Sequence, residues 1–206
     1  MLDCNTYVIR GSPGIIVDPG SGMSLPALLE GLSRDGIRPG DIGLIVNTHL
    51  HGDHCAANEG FREASGASIS LHPLQKQYYD VAVLETARVF GLPPAVFTED
   101  GILDGDTVSA GDTEWRLIPS PGHSPDSICY YCPQEKVLIC GDVIFDKNTG
   151  RVDLPGGNAA ALRQSIEDLA QLEVAWLLPG HMDTVSGAGR VRSNFSFITE
   201  NVLRWL

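Results

Sequence analysis

Basic residues are scarce in this sequence. Its 206 residues carry 26 acids against 14 bases, only three of them lysines, giving a formal net charge of −12. A protein that grips nucleic-acid phosphates needs a cationic footprint, so no nucleic-acid partner is expected. Also missing is any apolar run near the roughly 18 residues of a membrane span. The opening Met1-Leu2-Asp3-Cys4-Asn5 has no basic stretch followed by an apolar one, as a secretory signal would. No membrane association and a cytoplasmic location are the resulting expectations. The cysteines are few and odd in number: Cys4, Cys55, Cys129, Cys132 and Cys140. Without a secretory leader, that does not make a disulfide framework.

What is present reads as a globular α/β chain. Hydrophobic residues at 43% and charged residues at 19% supply a core without the charge excess of a disordered chain. The length fits one domain spanning 1–206. Thr6 to Arg10 and Gly14 to Asp18 read as strands joined by the turn residues Gly11-Ser12-Pro13. Helical spacing runs from Leu25 to Leu32, a buried strand from Asp41 to Asn47, a helix after His54, and a strand from Ala67 to Leu71. Leu74 to Phe97 is mixed and reads as a helical insertion closed by Gly91-Leu92-Pro93-Pro94. Strands return at Thr107-Val108, Glu114 to Ile118, Ser127 to Cys132 and Lys136 to Cys140. Ala159 to Leu172 carries Leu162, Ile166, Leu169 and Leu172 on one helical stripe. Val174 to Leu178 reads as a strand and Arg192 to Leu206 as a closing helix. A hairpin turn at 133–136 would set Cys129 and Cys140 opposite each other; Cys129 and Cys132 themselves read as buried apolar thiols.

Five of the six histidines sit in loop-like positions just after strands. The densest cluster is Thr48-His49-Leu50-His51-Gly52-Asp53-His54, directly after the strand ending at Val46-Asn47. In extended chain His49 and His51 project to one side, because the period of a strand is two. Both imidazoles can then face one ion, while Asp53 and His54, beyond Gly52, reach a second. Mixed imidazole and carboxylate ligands suit zinc, and also iron or manganese. His123 in Ser120-Pro121-Gly122-His123, Asp142 in Cys140-Gly141-Asp142 and His181 in Leu178-Pro179-Gly180-His181 share one local design: apolar strand, small residue, ligand. Loops carried by a rigid sheet are where functional residues concentrate.

His49, His51, Asp53 and His54 resemble the HxHxDH signature of the metallo-β-lactamase fold superfamily. His123, Asp142 and His181 are similar to its later motifs, in order and context. Asp18, in Val17-Asp18-Pro19-Gly20, resembles the family's first motif, whose aspartate supports the metal loop. The resemblance covers nearly the whole chain and implies a four-layer αββα sandwich, although the family usually has a further strand before Asn5-Thr6-Tyr7. It implies two divalent ions: His49, His51 and His123 on the first, Asp53, His54 and His181 on the second, Asp142 bridging. Within the family the pattern looks most like the small glyoxalase II branch. Class B β-lactamases lack the bridging aspartate, and the oxygen-reducing di-iron branch usually has glutamate where His51 stands. The implied function is hydrolysis of a thioester, ester or lactone by a metal-bridged hydroxide, with Asp53 relaying the proton. Only 25 residues follow His181 (206 − 181), and they contain no recognisable clamp for glutathione.

A small-molecule substrate is expected, with Arg151 as a candidate grip for a carboxylate and Tyr78, with Tyr79 and Phe90, as a candidate lid. Both assignments compete with ordinary ion pairing and packing. Two other functions fit the motifs. One is a mononuclear iron persulfide dioxygenase, using two histidines and one aspartate. The other is a non-catalytic metal-binding or redox-sensing protein.

Overall fold

A computed structural model describes residues 3–206. The strands are β1 (Tyr7–Ile9), β2 (Gly14–Val17), β3 (Ile42–Val46), β4 (Ser68–Leu71), β5 (Gly101–Ile102), β6 (Thr107–Ala110), β7 (Thr113–Pro119), β8 (Ile128–Cys132), β9 (Val137–Gly141), β10 (Ile144–Phe145), β11 (Asn148–Thr149), β12 (Trp176–Pro179) and β13 (Val185–Ser186). The α-helices are α1 (Leu25–Arg34), α2 (Gly52–Cys55), α3 (Asn58–Ser65), α4 (Pro73–Gln77), α5 (Thr86–Phe90), α6 (Ala159–Leu169) and α7 (Ala188–Asn201).

Two large sheets are formed, in the orders β1-β2-β3-β4-β5 and β13-β12-β9-β8-β7-β6, and β10 and β11 make a separate two-stranded ribbon. In the first, β2, β3, β4 and β5 run parallel, with a helical crossover between each successive pair. In the second, β6 to β9 are an antiparallel meander, and β12 joins β9 in parallel after α6. Three apolar clusters define the layers. Ile15, Val17 and Val46 of the first sheet meet Trp115, Leu117, Ile128, Tyr130 and Ile139 of the second. Leu162, Ile166, Leu169, Phe195 and Ile198, from α6 and α7, cover the outer face of the second sheet. Leu32 and Phe61, from α1 and α3, cover Ile16, Ile45 and Ile69 on the first. The result is the expected αββα sandwich. Full burial of side chains this size contributes about 1.5–3 kcal/mol each, so the four layers hold one another in register.

Local chemistry sets most element ends. Helix α1 has proline in its first turn and stops before Gly36 at φ 71. Asn158 caps α6 by accepting from the Ala161 N–H at 3.0 Å. Several boundaries differ from the sequence reading. Helix α6 ends at Leu169 rather than Leu172. The closing helix begins four residues earlier than Arg192, at Ala188 after Gly187, and ends at Asn201. The insertion is helical only to Phe90, and Asp80–Glu85 within it is π-helix, after which the chain is extended. Residues 3–6 are not strand, so β1 is the edge of its sheet. Cys129 and Cys140 do lie opposite in the β8–β9 register, as unlinked thiols.

Candidate metal centre

All four ligand-bearing loops leave the sandwich at one end: after β3, β7, β9 and β12. Parallel strands bring their C-terminal ends, and so their loops, to the same edge. The His49-to-His54 segment starts extended and then turns into α2 at Gly52, which gives the two halves of the motif different directions. His49 Nε2 lies 3.1 Å from His51 Nδ1, and His123 Nε2 lies 3.0 Å from the same atom. Asp53 Oδ2 is 3.2 Å from His181 Nε2, with His54 beside them. Between the two trios stands Asp142. One oxygen is 3.4 Å from His54 Nε2; the other is 3.6 Å from both His123 Nε2 and His181 Nε2.

Do these residues fit metal ions? Tetrahedral bonds of about 2.0–2.1 Å put neighbouring ligand atoms about 3.3 Å apart, which is the spacing found here. His54 Nε2 and Asp142 Oδ1 are buried and have no hydrogen-bond partner, as does His51 Nε2. Buried polar atoms normally have one, and a cation between His54 and Asp142 would satisfy both. The opposite ring nitrogens are tied to the protein. His54 Nδ1 lies 2.9 Å from Asp18 Oδ2, His123 Nδ1 donates to the Arg151 carbonyl at 2.8 Å, and His49 Nδ1 is 3.2 Å from Thr48 Oγ1. Such partners fix the tautomer and aim the other nitrogen at the ion. The donor set fits divalent cations.

The electrostatics divide the site. Burial and the neighbouring imidazoles push His49 well below the usual histidine range and His51 down to about 3. Burial also lowers His123. These three are neutral and ready to ligate. Burial opposes ionisation of Asp142, yet His54, His123 and His181 hold it below the usual carboxylate range. A hydrogen bond donated to Asp53 raises His181.

Supporting residues escaped the sequence reading. Asn47 presents its carbonyl to Gln75 Nε2 and the Tyr130 hydroxyl, both at 2.8 Å, and its side chain meets Asn58. Asp126 accepts from the Leu50 N–H at 2.9 Å, and burial pushes its carboxyl up to about 6. Such groups, far apart in sequence, leave no local signature. The glycines did give one. A Cβ on Gly180 would lie 2.3 Å from Asp142 Oδ1, and one on Gly150 would lie 1.9 Å from the Asp142 carbonyl oxygen.

A cavity of about 940 Å³ opens over His51, Asp53, His123, Asp142 and His181. Arg151 lines it, with its guanidinium on Asp153 at 2.6 and 2.7 Å. Tyr78 does not line it. Val83 of the π-helical turn and Thr86, Ala87 and Phe90 of α5 line the cavity instead. Tyr79 braces the insertion from within, its hydroxyl on the Ala95 carbonyl and its ring against Phe97.

Known proteins share this arrangement. A probable metallo-hydrolase of Methanocaldococcus jannaschii is 33% identical over 185 residues, covering 86% of each chain. The acyl-coenzyme A thioesterase MBLAC2 of Gallus gallus is 32% identical over 212 residues, 91% of this chain and 75% of that protein. Among solved structures, the B3 metallo-β-lactamase BLEG-1 superposes with a TM-score of 0.80 at 29% identity, covering 95% of this chain and 94% of its own. TTHA1623, crystallised in a di-iron-bound form, gives 0.75 at 29% identity over 93% of each. The family model of the metallo-β-lactamase superfamily matches residues 1–181, which contain every donor described above. Fold, donor set and sequence agree, and the chain belongs to the metallo-β-lactamase superfamily.

Proposed function

We propose that this protein is a binuclear metallo-hydrolase that cleaves a thioester, ester or lactone in a small-molecule substrate. The observation that carries the reading is the placement of Asp142, a buried carboxylate with one oxygen toward His54 and the other toward His123 and His181. A single-ion site has no need of a carboxylate facing two complete nitrogen-rich trios. His49, His51 and His123 would hold one divalent cation and Asp53, His54 and His181 the other, with zinc, iron or manganese all suited to the donors. Two such cations supply hydroxide near neutral pH and polarise a carbonyl.

The chain's own groups do the remaining work. Asp53 Oδ2, kept ionised by His181, is at the cavity floor, where it accepts the proton from the attacking water and returns it to the leaving group. Asp18 and the Arg151 carbonyl keep His54 and His123 in the ligating tautomer. The apolar cavity wall limits water to the reacting face. The likeness to the acyl-coenzyme A thioesterase MBLAC2 and to the di-iron-bound form of TTHA1623 supports thioester chemistry and a two-ion site respectively.

Elemental analysis of the purified protein, together with a panel of thioesters, esters and lactones, tests this reading. Two metal ions per chain, with turnover lost in His51→Ala, is the expected result. One iron per chain, with oxygen consumed on a persulfide and no hydrolysis, would replace it with the dioxygenase. Two ions without turnover of any member would leave a non-catalytic metal protein.

A further inference from the structure

The walls of the cavity differ sharply from its floor. The floor is the donor cluster; the walls above it are Val83, Phe90, Leu92 and Val96 on the insertion side and Phe145 and Leu154 on the other. Phe90, Leu92 and Val96 remain 40%, 49% and 79% exposed, although each would gain by burial. Clustered exposed apolar side chains on one rim mark a binding surface, and this rim is continuous with the metal floor. Among the described residues Arg151 is the one arginine or lysine lining the cavity, and Asp153 pairs with it along one guanidinium edge, Nε and Nη2, at 2.6 and 2.7 Å. No lysine lines it.

We propose that the cavity selects an extended apolar acyl group on a small uncharged carrier. The scissile carbonyl sits at the floor and the alkyl chain lies along the insertion wall. A volume of about 940 Å³ is at the upper end of small-ligand sites, far more than an acetyl or lactoyl group would fill. A polyanionic carrier finds on the walls only Arg151, already charge-paired with Asp153, so its charge gains little there. This inference rests on the hydrolase reading for its catalytic half and on the cavity alone for its binding half.

The test is a homologous series of N-acetylcysteamine thioesters, from acetyl to decanoyl, turned over by the metal-loaded protein. Burial of one methylene raises kcat/KM by up to about fourfold, so with about four of the six added methylenes buried octanoyl should exceed acetyl by at least about a hundredfold. A flat or falling profile would overturn the inference and leave the hydrolase reading standing. The same acyl groups on coenzyme A should give no higher kcat/KM at any length; a gain there would refute the uncharged carrier. The double variant Phe90→Ala, Leu92→Ala should cut the octanoyl-to-acetyl ratio at least about tenfold, and an unchanged ratio would place the chain elsewhere. Calorimetry with S-octyl and S-ethyl N-acetylcysteamine thioethers, which have no bond to hydrolyse, reads binding directly. Tighter binding of the octyl compound, with no thioester turned over, would sustain the apolar site and remove the hydrolase. Equal affinity for the two would overturn the apolar site.

Discussion

Asp18 holds His54 by its Nδ1 at 2.9 Å while accepting from both the N–H and the hydroxyl of Thr48, at 2.7 and 2.6 Å. To reach them it adopts a left-handed backbone, φ 54, a conformation unusual for a residue with a side chain. The carboxylate therefore fixes both the start of the metal loop and the tautomer of a ligand six residues on. In Asp18→Asn the amide must place its NH₂ against either Thr48 or His54 Nδ1. The latter forces the proton onto Nε2, the ligating atom. Losing the partner that orients a ligating histidine costs about 10- to 100-fold in metal affinity or activity. Asp18→Asn should bind one ion much more weakly than the other in a chelator competition; two equally tight ions would contradict the role given to Asp18.

The other end of the centre is fastened by the N-terminal segment. Asn5 Nδ2 donates to the carbonyls of Pro179 and Met182, at 3.0 and 2.9 Å, so it bridges the residues on either side of His181. Tyr7 adds a hydroxyl bond to the Pro179 carbonyl at 2.7 Å. Asn5→Ala leaves those carbonyls to water and frees the loop. The expected result is a roughly tenfold weaker second ion with β12 intact, read as metal affinity alongside unchanged far-UV circular dichroism. Unaltered metal affinity would show that the loop needs no such clamp.

The seven donors were legible in sequence because their chemistry is explicit: histidine and aspartate after a strand and a small residue have few packing explanations. The sheets were legible through Ile15, Ile16, Ile45 and Ile139, whose runs mark buried strands. Strands β5, β10, β11 and β13 were not, since two residues cannot display a period of two. Nor was the cavity wall. Phe145 and Leu154 lie more than 50 residues from Phe90, and no local pattern joins them. Of the candidate lid residues Phe90 lines the cavity while Tyr78 and Tyr79 do not, a choice the sequence left open because lid and ordinary packing fitted it equally.

Gly180 offers a test of the bridging position by space alone. Its missing side chain is where Asp142 Oδ1 passes, 2.3 Å from an added Cβ, with His54 Cε1 at 2.8 Å. Both neighbours are buried ligands, so neither can simply swing away. Gly180→Ala should keep the fold while losing at least one ion per chain and most turnover. Retention of two ions would mean that Asp142 shifts without penalty.

Alkaline stability follows from two buried groups that are not themselves ligands. Burial pushes the Cys129 thiol from 9.0 up to about 12, and the Tyr130 phenol well above its usual 10.0. Below about pH 9 both folded and unfolded chains hold these protons. Above it the unfolded chain releases them and the folded chain does not, so unfolding is favoured as pH rises. The urea midpoint should be level from pH 7 to 8.5 and fall by pH 10.5, with a smaller fall in Cys129→Ala. A midpoint independent of pH over that range would show that these groups are as free to ionise in the folded chain as in the unfolded one.

Metal removal should weaken the whole molecule, because the centre joins both sheets. His49, His51 and His123 are packed ring against ring, with centroids 4.6 to 4.9 Å apart. The loops that carry them leave β3 of one sheet and β7 of the other. Asp142 and His181 extend the set through β9 and β12. Without cations, the buried nitrogen of His54 and oxygen of Asp142 lack partners, a cost of about 1–3 kcal/mol for each such group. With free metal at a thousand times its dissociation constant, binding stabilises the folded state by about 4 kcal/mol. In a chain of this length each kcal/mol moves the melting temperature by about 2–4 °C. Chelation, verified by elemental analysis, should therefore lower the Tm by about 8–16 °C for each ion removed, and returning zinc should restore it. A chelated protein that melts at the original temperature would show a centre assembled by the fold alone, with the ions adding chemistry but no cohesion.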